Sequence, residues 1–239
     1  MIIPVIRGFL LIVAGLVVAT LQAQTGMDAS IKHRVLTNPQ MQMFNPNEQP
    51  SAEQWPQVVS KMGKYTSNSE WKKYQEISDE LGQTHYRIRQ YYQGIPSALS
   101  VGIVHIKQGK ILSLNGDFVS ESQFEGKHVL DEAAALKLAL LSLPAQKYYW
   151  EEAGQNEALR LATGKADTTY FPKGKLVYMA KGLNLAGTHR LCYQFDVMAS
   201  EPLAGRSIYV DAETGEVIAS NDLILHGDRK STRLNSIHT

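Results

Sequence analysis

The sequence is poor in cysteine, in net charge and in long apolar runs, and each shortage excludes a class of protein. Cys192 is the only cysteine among 239 residues, so an intrachain disulfide is excluded. On a strand it reads as a small buried apolar residue. A catalytic thiol needs a base beside it and an exposed site, and its neighbours argue for neither. Lysine and arginine number 24 against 23 acidic residues, a formal charge of +1, which argues against a nucleic-acid binder and leaves no steering field. The seven histidines are His33, His85, His105, His128, His189, His226 and His238. None is followed by glutamate and no two are four apart, so the zinc-binding H-E-x-x-H helix is absent from the sequence. His85, His105 and His189 fall on expected strands, where satisfied structural histidines are the better reading. Nucleophile-elbow, phosphate-loop and dinucleotide fingerprints are absent as well. Asp211 and Glu213 lack EF-hand spacing and read as a charged turn. The expected catalytic, cofactor and metal sites are therefore none, and the chain reads as a binding protein, not an enzyme.

The one long apolar run is Phe9 to Leu21. As a helix it would be about 20 Å long, short of the ~30 Å hydrocarbon core of a bilayer. Arg7 precedes it and Leu21-Gln22-Ala23 follows, so residues 1–23 read as a secretory signal peptide cut after Ala23. Gln22 to Ser30 carries no basic stop-transfer cluster, and no cysteine follows for lipidation. The expectation is a secreted chain with no membrane contact once the signal is removed. Residues 24–46 read as a loosely ordered leader. At the other end, residues 228–239 follow no periodicity and resemble the conceptual translation of a sequencing-adapter oligonucleotide. The natural sequence is expected to diverge near Gly227.

What is present begins at Asp79-Glu80-Leu81-Gly82, a turn, followed by a β-rich run from Thr84 to Tyr92. Alternation puts Tyr86, Ile88 and Gln90 on one face and His85, Arg87 and Arg89 on the other. Rows of this second kind are usually solvated. The functional alternative makes Arg87 and Arg89 contacts for an acidic partner. Gly94-Ile95-Pro96 is expected to stop the strand, since proline has no donor for a ladder. Gln108-Gly109 is a two-residue hairpin signal between Leu99–Lys107 and Ile111–Asp117. Trp71 to Ile77 is a further strand, pairing across the Asp79–Gly82 turn. Ser51-Ala52-Glu53-Gln54 is a capping box, and Trp55, Val58, Val59 and Met62 follow at helical spacing as a cover for the sheet.

Ser120 to Lys127 is polar and marks the expected boundary between domains at 47–120 and 121–227. Asp131 is an expected N-cap for an alanine- and leucine-rich helix from Ala133 to Leu143, with Leu136, Leu140 and Leu143 lining one face, Ala139 beside them, and Pro144 ending it. A short helix around Asn156 to Ala162 follows. Strands are expected at Leu176–Met179, His189–Met198, Arg206–Asp211 and Glu216–Ser220, the last two joined at Ala212-Glu213-Thr214-Gly215. The fold class is α+β: two small units, each an antiparallel β-meander covered by helix.

Asp79-Glu80-Leu81-Gly82-x-Thr84-His85-Tyr86-Arg87, Gln90-x-x-x-Gly94-Ile95-Pro96, Val104-His105-x-x-x-Gly109-Lys110 and Asn115-Gly116, in that order, resemble the fungalysin/thermolysin propeptide domain. Tyr209-Val210-Asp211-Ala212-x-Thr214-Gly215-Glu216-Val217 resembles a PepSY-type domain, and Tyr170-x-Pro172-x-Gly174-x-Leu176-Val177-Tyr178 is similar to the pro-region of thermolysin-like peptidases. The resemblances cover roughly Phe44 to His226. They imply the pro-region of a secreted zinc metallopeptidase that chaperones and then inhibits its catalytic domain, with that domain as partner. Zinc, with calcium as a further candidate, would belong to the catalytic domain, and the full precursor would be a metalloendopeptidase. They also imply that Leu223-Ile224-Leu225-His226, an apolar run after the last strand, leads towards the peptidase as a contact. The alternative is a free-standing secreted PepSY-type binding or inhibitor module.

Overall fold

The computed structural model describes residues 40–63 and 68–224. The signal peptide with its Ala23 cleavage point, the leader up to residue 39, Leu225, His226 and the tail at 228–239 lie outside the described residues. The fold is α+β, mostly sheet with few helices. It divides into two units, the first holding residues up to Gly94 and Ser100–Glu121, the second Ile95–Leu99 and the residues from Ser122 onward.

Turn chemistry sets the first unit. Strand β1 (Gln40–Met43) leads to a 3-10 turn (Ala52–Gln54) and helix α1 (Trp55–Gly63). Strands β2 (Ser69–Ser78), β3 (Gln83–Tyr92), β4 (Ile95–Lys107) and β5 (Lys110–Gly116) follow. The order is β1-β5-β4-β3-β2. Between β2 and β3, Asp79 Oδ1 accepts the N–H groups of Leu81 (2.9 Å) and Gln83 (2.8 Å). The next two hairpins have φ of 50° at Gln93 and 79° at Gly94, then 50° at Gln108 and 72° at Gly109. Positive φ at both central residues is what a two-residue type I′ turn needs to match strand twist.

The Gln93-Gly94 turn ends β3 where the sequence suggested the proline. Pro96 instead lies inside β4, at its second residue. A missing N–H is tolerated close to the start of a strand, so the proline does not break the ladder.

The helix covers the sheet as expected. Ser51 N–H donates to Gln54 Oε1 (2.9 Å), the backbone half of the capping box. Trp55, Val58, Val59 and Met62 pack on Ile88, Val104, Ile106, Ile111 and Leu114. Each such aliphatic side chain contributes roughly 1.5–3 kcal/mol when fully buried. Gln90, on the same face, is also buried. Its Nε2 donates to Val119 O (3.0 Å), and its Oε1 accepts from Ser100 Oγ (2.6 Å) and Val119 N–H (3.3 Å). These bonds offset the cost of placing an amide in the core.

The second unit contains β6 (Phe124–Glu125), α2 (Glu132–Ser142), β7 (Lys147–Tyr148), α3 (Gln155–Thr163), β8 (Lys175–Ala180), β9 (His189–Glu201), β10 (Leu203–Asp211) and β11 (Val217–Asp222). Strands β8, β9, β10 and β11 are successive antiparallel neighbours. Two pairings are parallel: β6 beside β9, with Phe124 opposite His189, and the start of β4 beside β8, with Ser97 opposite Tyr178. The core includes Val177, Met179, Cys192, Tyr209 and Ile218, with Ala98 and Leu99 packed against it.

Helix α2 begins as expected, with Asp131 Oδ1 accepting Ala134 N–H at 2.7 Å. It packs on β9 and β10, with the expected face sharing the contact with Ala135. Ala135 and Ala139 are fully buried, Leu143 is buried beyond the last turn, and Leu136 and Leu140 are half-buried. Alanine lets the helix sit close to the strands, which leaves the bulkier leucines at the margin. Ser120–Lys127, expected as a polar boundary, supplies one buried side chain. The Phe124 ring lies 4.9 Å from that of Tyr178 and 5.5 Å from that of His189.

Candidate functional site

The residues expected to meet a partner differ in what they offer. Arg87 is exposed on β3, opposite Gln75 of β2. Arg89 is half-buried, with its guanidinium 5.1 Å from the centre of the Tyr74 ring. Its Nε is buried without an acceptor. His85 is half-buried as well. The row is therefore not uniformly solvated, and Arg87 is its exposed cation. Around it the surface of β2 carries matched charges, with Lys72 beside Glu70 (2.7 Å) and Lys73 beside Glu76. Lys72 and Lys73 also lie over the rings of Tyr91 and Tyr86, at 4.5 and 4.1 Å. Exposed pairs of this kind are screened by solvent and contribute little, and here they leave a mixed surface instead of a cationic patch.

In the second unit, Leu223 is 44% exposed, and its N–H donates to Gly205 O (2.8 Å). Ile224 is half-buried over Gly205, where an added Cβ would stand 3.0 Å from Ile224 Cγ1 and 2.6 Å from Met198 Sδ. The glycine thus seats the first two residues of the apolar run. An apolar hollow of about 560 Å³ lies along the end of α2, lined by Leu140, Leu141, Pro144, Ala145 and Tyr148 with Lys137 at its edge. Leu141 there is 75% exposed.

A cluster of ion pairs around Arg190 was not legible in the sequence. Arg190 Nε donates to Asp211 Oδ2 (2.7 Å) and its Nη2 to Glu213 Oε2 (2.8 Å). Asp211 Oδ1 accepts the N–H groups of Glu213 (2.9 Å) and Thr214 (3.0 Å). Burial pushes the Asp211 carboxyl up, but Arg190 and the two backbone donors outweigh it and hold it below the usual carboxylate range. The bond to Asp211 holds the Arg190 guanidinium more firmly protonated. Glu213 Oε2 also accepts Lys127 N–H (3.3 Å) and Arg190 Nη1 lies 3.9 Å from Glu125 Oε2, so the cluster ties the turn between β10 and β11 to β9 and to the segment around β6. Burial also pushes the Cys192 thiol well up, which makes it an inert core residue.

His189 yields a testable consequence. It is fully buried, its Nε2 donates to Leu185 O (3.1 Å), and its Nδ1 has no partner. Burial depresses its protonation despite that carbonyl. The unfolded chain then takes up a proton below about pH 6.5 that the folded chain refuses, so stability falls as acid is added. His189→Leu should flatten this arm of the stability profile of the second unit between pH 7 and pH 5, measured by urea denaturation. An unchanged slope would remove the assignment.

Among the described residues no three His, Cys, Asp or Glu side chains are grouped to hold a metal ion. No described helix is long and apolar enough to cross a membrane.

Residues 69–118, from the start of β2 to buried Phe118, match the Fungalysin/Thermolysin Propeptide Motif. Thermolysin of Alicyclobacillus acidocaldarius subsp. acidocaldarius is 29% identical over 143 residues, 59% of this chain and 23% of its own length. Thermolysin of Bacillus caldolyticus matches to the same extent. The chain thus spans about a quarter of the length of the curated relatives it matches. The Bacillus megaterium YpeB C-terminal domain aligns over 82% of this chain and 96% of its own, at 9% identity and a TM-score of 0.31, a likeness too slight to bear on fold or function. The motif and the partial kinship with thermolysin together mark residues 69–118 as propeptide sequence of the thermolysin-like kind.

Proposed function

We propose that the chain is the pro-region of a secreted zinc metallopeptidase, which assists the folding of the catalytic domain and then inhibits it until it is removed. The observation that carries this reading is the propeptide motif at residues 69–118, folded as a sheet with one helical cover. A large peptidase with many non-local contacts folds slowly behind a high barrier. A partner already folded can bind the transition state for that step and lower it. If it stays bound, it blocks the cleft. Nanomolar inhibition corresponds to about −12 kcal/mol, within the range of a standard interface.

On this reading residues 47–120 and 121–227 are a propeptide domain and a PepSY-like domain, each a meander under a helix, exported behind the signal peptide. The zinc, with calcium as a further candidate, belongs to the catalytic domain. Arg87, Arg89, Leu223, Ile224, Leu225 and His226 are the proposed contacts. The exposure of Arg87 and Leu223 supports their inclusion.

The test has two steps. The coding sequence beyond His226 is read for an in-frame H-E-x-x-H helix, and the encoded catalytic domain is denatured and refolded with and without the chain. A refolding yield raised at least about tenfold, followed by stoichiometric inhibition, is expected. A catalytic domain that refolds as well alone would refute the chaperone role. No peptidase in frame would favour the free-standing binding module.

A further inference from the structure

The first unit contains a chain of four polar side chains that the proposed function does not use. His85 on β3 and His105 on β4 face each other through their Nδ1 atoms at 2.8 Å. Their ring centres are 4.9 Å apart and the planes cross at 80°. The outer nitrogens are also engaged: His85 Nε2 lies 3.2 Å from Asp79 Oδ2, and His105 Nε2 lies 2.7 Å from Asn115 Oδ1. Asp79 is fixed in turn by the N–H groups of Leu81 and Gln83 on its other oxygen.

Two imidazole nitrogens this close need one hydrogen between them, and the number of hydrogens they accept is limited. With His85 protonated, its Nε2–H donates to the Asp79 carboxylate and its Nδ1–H to His105 Nδ1, while His105 Nε2–H donates to Asn115. With the Asn115 amide reversed and both rings neutral, His105 Nδ1–H donates to His85 Nδ1 instead. Each arrangement places one hydrogen in the gap. Two hydrogens would set donor against donor and two imidazolium charges against one carboxylate.

The surroundings do not relieve that second charge. Arg87 stands two residues along β3 and Lys107 two residues along β4, both cations. From β2 the residue opposite His85 is Ile77, and from β5 the residue opposite His105 is Ser113. Asp79 is the one carboxylate in the chain of contacts.

We propose that Asp79, His85, His105 and Asn115 form a one-hydrogen clasp between β3 and β4 that opens when acid delivers a second proton to the facing nitrogens. The inference concerns the first unit alone and stands or falls apart from the peptidase reading. The folded pair keeps one hydrogen in the gap, whereas two separated imidazoles each take their own. Opening therefore takes up one proton, and the ratio of closed to open forms falls tenfold for each pH unit once the separated rings are charged.

The test follows the full chain, labelled with ¹⁵N in its histidine rings, from pH 8 to pH 4.5 by NMR, with amide exchange in β3 and β4 corrected for intrinsic pH dependence. At pH 8 one of the facing Nδ1 atoms is expected to carry hydrogen and the other not. In acid both should become protonated together, with loss of amide protection in the two strands. His105→Gln keeps an acceptor in place without a second charge. It should retain at least tenfold more protection one pH unit below the wild-type transition. His85→Gln is read the same way if the first variant does not fold. Rings that titrate separately while strand protection is unchanged would overturn the clasp, as would a glutamine variant that opens at the wild-type pH. The acid response of His189 appears in β9, so the two effects are separable by location.

Discussion

Gly116→Val should unfold the first unit at denaturant concentrations that leave the parent chain intact. Gly116 pairs with Gly102 across β5 and β4. A Cβ at 116 would stand 2.6 Å from Gly102 Cα and 2.6 Å from Val101 O, both backbone atoms. No side-chain rotation can relieve such a contact, so the strands must part. Overpacking against mobile side chains costs typically 1–3 kcal/mol, and against fixed backbone the expected loss is at the upper end, about 3 kcal/mol or more. Urea denaturation followed through Trp55 and Trp71 measures it. Gly102→Ala is the control. Its Cβ would meet Asn115 O at 3.1 Å and the Ile88 side chain at 3.3 Å, contacts that small shifts can accommodate. Its penalty should be less than half that of the valine. Equal penalties would show that the loss comes from removing glycine and not from the backbone approach.

Arg190→Met is expected to cost the second unit about 3 kcal/mol at pH 7, because breaking one half of a buried pair leaves the other charge uncompensated. The Asp211 side chain is 4% exposed, and without the guanidinium its carboxylate keeps only the N–H groups of Glu213 and Thr214. Asp211→Asn in the same chain removes the stranded charge while keeping an acceptor for both N–H groups, and should recover most of the loss. The sign with pH follows from the depressed carboxyl. In the parent chain its stabilisation is present above the ordinary carboxylate range and is lost as pH falls through the lower folded value. The single variant should therefore converge on the parent in acid, below about pH 4. A penalty that persists unchanged at low pH would point to lost packing of the arginine stem in place of the lost charge.

The features legible in the sequence are those set by neighbours along the chain. The dipeptide Gln108-Gly109, the Asp131 cap and the Gly215 turn each need only a few consecutive residues, and each is found where expected. Period-two alternation likewise separated buried Ile88 and Gln90 from exposed Arg87. Alternation gives the face of a side chain but not what lies over it, so the shielding of Arg89 by Tyr74 was not accessible. The cost of Pro96 depends on its place in the strand, which the preceding turn decides and local composition does not show. The contact of Phe124 with His189 spans a long stretch of chain, and one aromatic ring in a polar segment gives no periodic signal. The Arg190–Asp211 pair was hidden for a similar reason. Its residues lie 21 positions apart, and register places them together.

The division of β4 bears on how such a protein can be cut. Residues 95–99 belong with β8 in the second unit, although they fall inside the stretch that carries the propeptide motif. Five residues of the motif therefore complete someone else's sheet edge. A fragment trimmed to residue 121 onward would leave the flank of Tyr178 without its Ser97 neighbour and expose a sticky border. The recognisable motif therefore does not coincide with one compact unit, and moving it alone would carry away a piece its former neighbour needs.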